Sequence, residues 1–175
     1  METIPALQSL FRAAHEFLEG TIEGVSAEAA AAPPPGAPAS IAAQYAHVVC
    51  SEDMGVHTLL GAGTPLFQGD WSGRTGLSET PPLYPGADLK GWARSAQIDL
   101  DKLRAYARAV YAATDGYLST MASADLSGRQ LDLSAMGFGV QPPMFVVTAL
   151  LSNVNMHTGE ISCLKGLQGA KGYPV

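Results

Sequence analysis

The sequence predicts an all-α fold in which four long helices pack as a bundle. Apolar residues recur at helical spacing in four stretches, and segments rich in proline and glycine separate these stretches. Alternation typical of strands is confined to a short run over residues 129–133. Because amphipathic helices must bury their apolar faces, we expect one bundle domain over residues 1–175.

The first helix is predicted over residues 3–24. Thr3 is a candidate N-cap, and Pro5 lies close to the first turn, where proline is favoured. The stretch AEAAAAPPPGAPAS follows, and its prolines lack a backbone N–H and have a fixed φ. We therefore expect a linker there.

The second helix is predicted over residues 40–60, with Ser40 as its N-cap and Gly61 just beyond its end. Residues 61–89 contain many glycines, prolines, serines and threonines, which predicts an irregular segment. A segment of this length without regular structure is typical of a functional loop.

The third helix is predicted over residues 89–121, with Asp88 as its cap. A long loop with a β-turn or a short hairpin is expected over residues 125–141, and Pro142 and Pro143 open a fourth helix over residues 143–168. The long connections around the third helix predict at least one crossover connection in the bundle.

The charge balance argues against a nucleic-acid partner. The chain has 10 Lys and Arg residues against 16 Asp and Glu residues, a formal net charge of −6. A nucleic-acid binder needs a basic face to neutralise phosphates. With 47% hydrophobic but only 15% charged residues, helix faces remain that need a partner, so we expect a homodimer formed through helices.

Cysteine usage and the apolar stretches predict a cytoplasmic protein without a membrane partner. Cys50 and Cys163 show no disulfide or zinc-binding spacing. The acidic N-terminal segment lacks the features of a signal peptide. The apolar run over residues 144–151 is far shorter than the roughly 20 residues of a membrane-spanning helix.

Two of the four histidines lie where a bundle places functional groups. His157 shares the inward stripe of the fourth helix with Leu150 and Ile161, and His47 borders the apolar face of the second helix. Either one alone is more often a hydrogen-bonded core residue. We expect His57 to be a surface or capping residue and His15 to lie among polar neighbours.

The segments around these two histidines resemble a known family. His47 lies in AQYAHVVCSED, and His157 lies in SNVNMHTGEISCL about a hundred residues further on. A helix-two histidine followed by a helix-four His-x3-His-x2-Gln motif is typical of the DinB/YfiT-like superfamily, which includes the mycothiol-dependent maleylpyruvate isomerases. The chain resembles this family over nearly its whole length. The resemblance implies a DinB-like four-helix bundle, a divalent metal such as zinc or nickel, and a metal-dependent hydrolase or thiol-dependent transferase acting on a small molecule.

The motif departs from the family pattern at two positions. Asn153 stands where the family has the first histidine of the pair, and Glu160 stands where it has glutamine. The resemblance therefore implies the donors His47, Asn153 and His157, although an amide is a poor zinc ligand.

Two carboxylates are candidates for the additional metal ligand, and in an alternative interpretation the site binds no metal. Glu160, one turn from His157, would supply a carboxylate, and we favour it over Glu52, which follows His47 by five residues. In the alternative, the site has decayed to a hydrogen-bonded polar cluster. The protein is then a non-catalytic small-ligand binder or a stress-associated interaction protein.

Aromatic residues flank the long loops and predict either loop anchoring or a small pocket at the open end of the bundle. They are Trp71, Tyr84, Trp92, Phe138 and Phe145. The glycine-rich stretches follow no predicted strand, which argues against nucleotide binding.

Overall fold

Helices make up most of the structure, a computed structural model that describes residues 2–84 and 86–175. The helices are α1 (Thr3–Ile22), α2 (Ala27–Ala31), α3 (Ile41–Met54), α4 (Leu89–Ser95), α5 (Leu100–Thr120), α6 (Asp125–Gly128) and α7 (Pro143–Leu167). Strands β1 (Leu131–Asp132) and β2 (Val140–Gln141) pair antiparallel as a short hairpin, one of the two expected arrangements. The predicted all-α class is confirmed. None of the helices within the described ranges is long and apolar enough to cross a membrane.

The four long helices form the body of the bundle. Both α1 and α3 pack against α5 and against α7, so the order around the bundle is α1, α5, α3, α7. Their shared core includes the fully buried side chains Leu18, Tyr45, Leu103, Tyr106 and Ile161. The connections from α1 to α3 and from α5 to α7 thus cross the bundle, as the predicted crossover requires.

The prediction of one continuous helix over residues 89–121 is wrong, because the chain is extended between α4 and α5. Ile98 forms an antiparallel bridge with Leu77 of the long loop. The backbone N–H of Asp99 donates to the carbonyl of Gly76 at 2.8 Å, and the Asp99 side chain caps α5. Gly76 has φ +84°, and a Cβ there would lie 2.6 Å from the Asp99 carbonyl oxygen, so only glycine fits.

The remaining helix boundaries differ from the predictions locally. The expected linker begins with the short helix α2, because the Ser26 hydroxyl accepts a hydrogen bond from the Ala29 N–H. The first helix ends at Ile22 instead of residue 24, and Glu2 takes the N-cap position expected of Thr3. The predicted caps Ser40 and Asp88 are confirmed, since their side chains accept from backbone N–H groups of α3 and α4.

The predicted second helix changes type near its end. Gly55–Leu59 continues α3 as one π-helical turn, a feature that frequently occurs at functional sites. A Cβ on Gly55 would lie 2.6 Å from a methyl carbon of Leu150. Glycine therefore permits a close approach of this turn to α7.

Asp53 attaches the long loop to the bundle. Its fully buried carboxylate accepts hydrogen bonds from the N–H groups of Leu66 and Phe67, at 3.0 and 3.1 Å, and from the Tyr106 hydroxyl at 2.6 Å. The Nδ1 atom of His57 lies 2.7 Å from the same carboxylate. His57 is largely buried there, and its Nδ1 also lies 2.9 Å from the backbone carbonyl oxygen of Asp53 in the last turn of α3. Of the two expected roles, surface and capping residue, the contacts fit the capping role.

Candidate functional site

His47 and His157 meet between α3 and α7. Their ring centroids are 4.9 Å apart, and the ring planes are inclined at 75°. The contact arises because α3 and α7 pack together along the bundle. The structure thus brings together two side chains that are 110 residues apart in the sequence.

His47 has an unsatisfied ring nitrogen. Its Nδ1 atom is buried and has no hydrogen-bond partner within residues 2–84 and 86–175. Burial, and then the neighbouring His157, lower the pKa of His47 to about 4, so the ring is neutral at physiological pH. Buried polar atoms are nearly always hydrogen-bonded, so this nitrogen is an exception among the described residues.

Glu160 orients His157. The Glu160 carboxylate lies 2.6 Å from Nδ1 of His157 and is about half-exposed. Since an ionised carboxylate can only accept, Nδ1 is the donor of this hydrogen bond. Glu160 therefore contacts the histidine, and its carboxylate is engaged away from the Nε2 atom.

Glu52 lies in a different cluster. Its fully buried carboxylate contacts Nε2 of His15 at 2.9 Å and accepts from the Thr114 hydroxyl at 2.6 Å. Five residues turn an α-helix by about 500°, which directs Glu52 away from the face that carries His47. The expectation that Glu52 would assist His47 is wrong. His15, expected among polar neighbours, is buried and stacks on Tyr111.

The donors near His47 do not fit a tightly held catalytic metal. Within the described part of the chain, no group of three or more His, Cys, Asp or Glu side chains is arranged to hold a metal ion. Asn153 offers an amide where zinc enzymes of this donor class use imidazole or carboxylate, and Glu160 is bonded to His157. Only two imidazoles remain as strong donors.

A cavity of about 560 Å³ opens beside His47. Its polar lining residues are His47, Ser51 and Asn153, contributed by α3 and α7, and Tyr84, contributed by the long loop. Its apolar lining includes Met54, Leu59, Leu83, Leu133, Met136 and Phe145. No Lys, Arg, Asp or Glu is among the lining residues that the structure describes. We call this cavity the α3–α7 pocket.

The loops supply the outer wall of the α3–α7 pocket. Tyr84 and Phe138 line it and are 67% and 50% exposed, so they form part of its rim. Phe145 also lines the pocket, whereas Trp71 and Trp92 pack with the main core. The aromatic residues therefore divide between the two expected roles, pocket lining and loop anchoring.

Acidification provides a test of the neutral, buried state of His47. A folded pKa of about 4, below the ordinary 6.5, means that the unfolded chain takes up a proton that the folded chain does not. The free energy of unfolding should therefore be highest above pH 6.5 and fall as the pH drops towards 4, by at most roughly 3 kcal/mol at about 1.4 kcal/mol per pH unit.

Urea denaturation of chelator-treated protein across this pH range measures the loss. The His47→Gln variant is the comparison, because all other titrating groups are retained in it. We expect the wild type to lose more stability on acidification than the variant does. Equal losses in the two proteins would contradict the account of His47.

The fold and this pocket define a class of helical-bundle protein with a histidine pair at the end of an apolar cavity. The solved structure described as the conserved protein of a locus from Enterococcus faecalis matches with a TM-score of 0.80 at 18% identity, covering 95% of this chain and 97% of that one. At this identity the likeness shows the fold. No curated protein matches the sequence. The sequence profile of the DinB superfamily matches residues 10–161, and the chain belongs to that superfamily.

Proposed function

We propose that this DinB-superfamily protein binds a small molecule in the α3–α7 pocket, with His47 and Asn153 at the polar end. The observation that carries the proposal is the cavity itself, about 560 Å³ in volume and lined mainly by apolar side chains, with His47 and Asn153 among its few polar lining residues. A ligand would bury its apolar surface against these walls, and the polar residues would orient it.

The size and lining of the pocket support the proposal. Small-molecule sites commonly occupy about 300–1,000 Å³ and combine apolar walls with a few polar groups. The α3–α7 pocket has about 560 Å³ and four lining side chains with a hydrogen-bonding group, His47, Ser51, Tyr84 and Asn153. Its exposed rim residues, Tyr84 and Phe138, extend the apolar surface to the entrance.

A pocket-filling substitution tests the proposal. Ala149 lines the pocket and is exposed, whereas the adjacent exposed Thr148 does not line it. The uncharged dye Nile red should bind to the wild type with enhanced fluorescence. We expect Ala149→Trp to weaken dye binding by about ten-fold or more, because the indole occupies the cavity, and Thr148→Trp to leave it unchanged. Equal binding by both variants would refute the proposal.

A metal-dependent hydrolase or thiol-dependent transferase is the second candidate. The observation favouring it is the adjacent His47–His157 pair, with His157 held by Glu160. Hydrogen bonding of a histidine to a carboxylate is the usual arrangement around metal-ligating histidines. In this candidate, zinc or nickel binds His47 and His157, with Asn153 or a rotated Glu160 as the third donor. Zinc or nickel retained stoichiometrically after purification without a histidine tag would favour it over the first proposal.

We also propose that the protein is a homodimer. The exposed apolar side chains Leu10 on α1 and Met156 and Leu167 on α7 support association through helices. Light scattering at micromolar concentration should give twice the mass of one chain. Met156→Glu should shift the equilibrium towards monomer, while Thr148→Glu on the same helix serves as the control. A monomeric wild type would contradict this proposal.

A cytoplasmic location is part of the same proposal. Cys50 and Cys163 are free thiols, Cys50 buried and Cys163 exposed, and burial raises the pKa of the Cys50 thiol. Free thiols persist most readily in a reducing compartment. Fractionation of cells that produce the protein would test the location.

A further inference from the structure

We infer that the ligand of the α3–α7 pocket is an uncharged molecule with an apolar body and one hydroxyl or amide head group, which lies against His47 and Asn153. The inference rests on the proposed small-molecule function and adds the chemical class of the ligand. Carboxylates, phosphates and ammonium ions are disfavoured at the polar end because the pocket lining supplies no charge to pair with them.

The pocket offers no counter-ion to a charged ligand. Its polar lining side chains are His47, Ser51 and Asn153 between the helices and Tyr84 at the rim, and the lining residues in the described ranges include no Lys, Arg, Asp or Glu. A charged head group entering the inner end of the pocket would lose its hydration without gaining an ion pair. That loss is costly for any isolated ion, whichever its sign.

An anion is disfavoured most strongly. No Lys or Arg is among the lining residues of the described ranges, so an anion finds no cationic side chain in the pocket. The Glu160 carboxylate lies beside His157, whose ring contacts that of His47, and the whole chain has a net charge of −6. A carboxylate or phosphate at the polar end would therefore gain no cationic partner, and the net negative charge of the chain would not attract it.

A cation gains little from the same carboxylate. Glu160 does not line the pocket, and its carboxylate is bonded to Nδ1 of His157 at 2.6 Å. It is also about half-exposed, so water screens its charge. An ammonium group at the polar end would thus be desolvated without direct contact with a negative charge.

A hydroxyl or an amide matches the groups that are present. A neutral imidazole has one N–H donor and one acceptor nitrogen, and an asparagine side chain has both an acceptor oxygen and a donor NH₂. A head group that both donates and accepts can therefore satisfy His47 and Asn153 together. The apolar body would then contact Leu133, Phe145 and Leu150 along the walls.

A series of ligands with one skeleton tests the charge assignment. Octan-1-ol, octanoate and octylammonium are compared near neutral pH as competitors of Nile red, while the imidazole ¹⁵N resonances of His47 are recorded. We expect octanol to bind about ten-fold more tightly than either ion and to be alone in shifting the His47 signals. An ion that enters with its charge towards the solvent leaves those signals in place.

A positive charge added to the pocket wall should favour the binding of an anionic ligand. Ala149→Lys provides a cation beside the cavity, so octanoate affinity should rise about ten-fold, while Thr148→Lys, outside the pocket, should leave it unchanged. Octanoate or octylammonium binding to the wild type as tightly as octanol, with a shift of the His47 signals, would overturn this inference and leave the proposed function standing. Failure of Nile red and all three ligands to bind would overturn the proposed function itself.

Discussion

Replacing Asn153 with histidine is expected to raise the affinity of the protein for zinc by about 100-fold or more. Residue 153 lies one helical turn before His157 and lines the same pocket as His47, so the new imidazole joins the existing pair. Glu160 already orients His157 through its Nδ1 atom. Competition with a chromophoric chelator, on protein without a histidine tag, measures the affinity.

Control variants show whether the gain in zinc affinity comes from the site formed with His47 and His157 or from adding any histidine to the surface. Asn155→His places an imidazole on the exposed face of the same helix and should give no comparable gain. In the Asn153→His background, Glu160→Gln should lower zinc affinity by about ten-fold, because His157 is then held less firmly. The wild type should lose any bound zinc to a chelator without unfolding. If Asn153→His and Asn155→His bind zinc equally, the assignment of this site is wrong.

Removing the Asp53 carboxylate is expected to lower the free energy of unfolding by about 3–5 kcal/mol. The substitution Asp53→Ala leaves the Leu66 and Phe67 N–H groups and the Tyr106 hydroxyl without their acceptor. It also creates a void where a fully buried side chain was packed. Urea denaturation at neutral pH measures the change.

The matched control is Asp115→Ala. Asp115 pairs with Arg12 at 2.8 Å on the exposed surface, where such pairs contribute about 1 kcal/mol or less. Loss of the Asp53 contacts should also detach the long loop, so protease cleavage within residues 61–88 should accelerate in the Asp53 variant alone. Similar losses of stability in the two variants would contradict the role assigned to Asp53.

Local patterns predicted the bundle and much of the site. The caps Ser40 and Asp88 depend on bonds within one helical turn, and helical periodicity alone located the long helices. His47 and His157 were named together as implied donors because they match the family motif and occupy inward or border positions, and their rings are in contact in the structure. Helix caps, helical periodicity and a sequence motif can be recognised without knowledge of the tertiary structure.

Features that depend on contacts between residues far apart in the sequence could not be predicted from local patterns. The break between α4 and α5 arises because Ile98 pairs with Leu77, and periodicity within residues 89–121 gives no sign of that partner. The bond of Glu52 to His15 depends on how α1 and α3 are placed around the bundle. Loop residues such as Leu83 and Met136 form one wall of the pocket. In the sequence, the only indication of this role is that they are apolar residues within loops.

The position of a bound neutral ligand tests the central claim most directly. Nuclear Overhauser contacts between octanol and the protein should connect the carbon beside the hydroxyl with His47 and Asn153, and the alkyl chain with Leu133 and Phe145, which line the α3–α7 pocket. The predicted result is this one orientation, lost in Ala149→Trp and kept in Thr148→Trp. Contacts confined to residues outside the pocket, with the His47 resonances unmoved, would contradict the account.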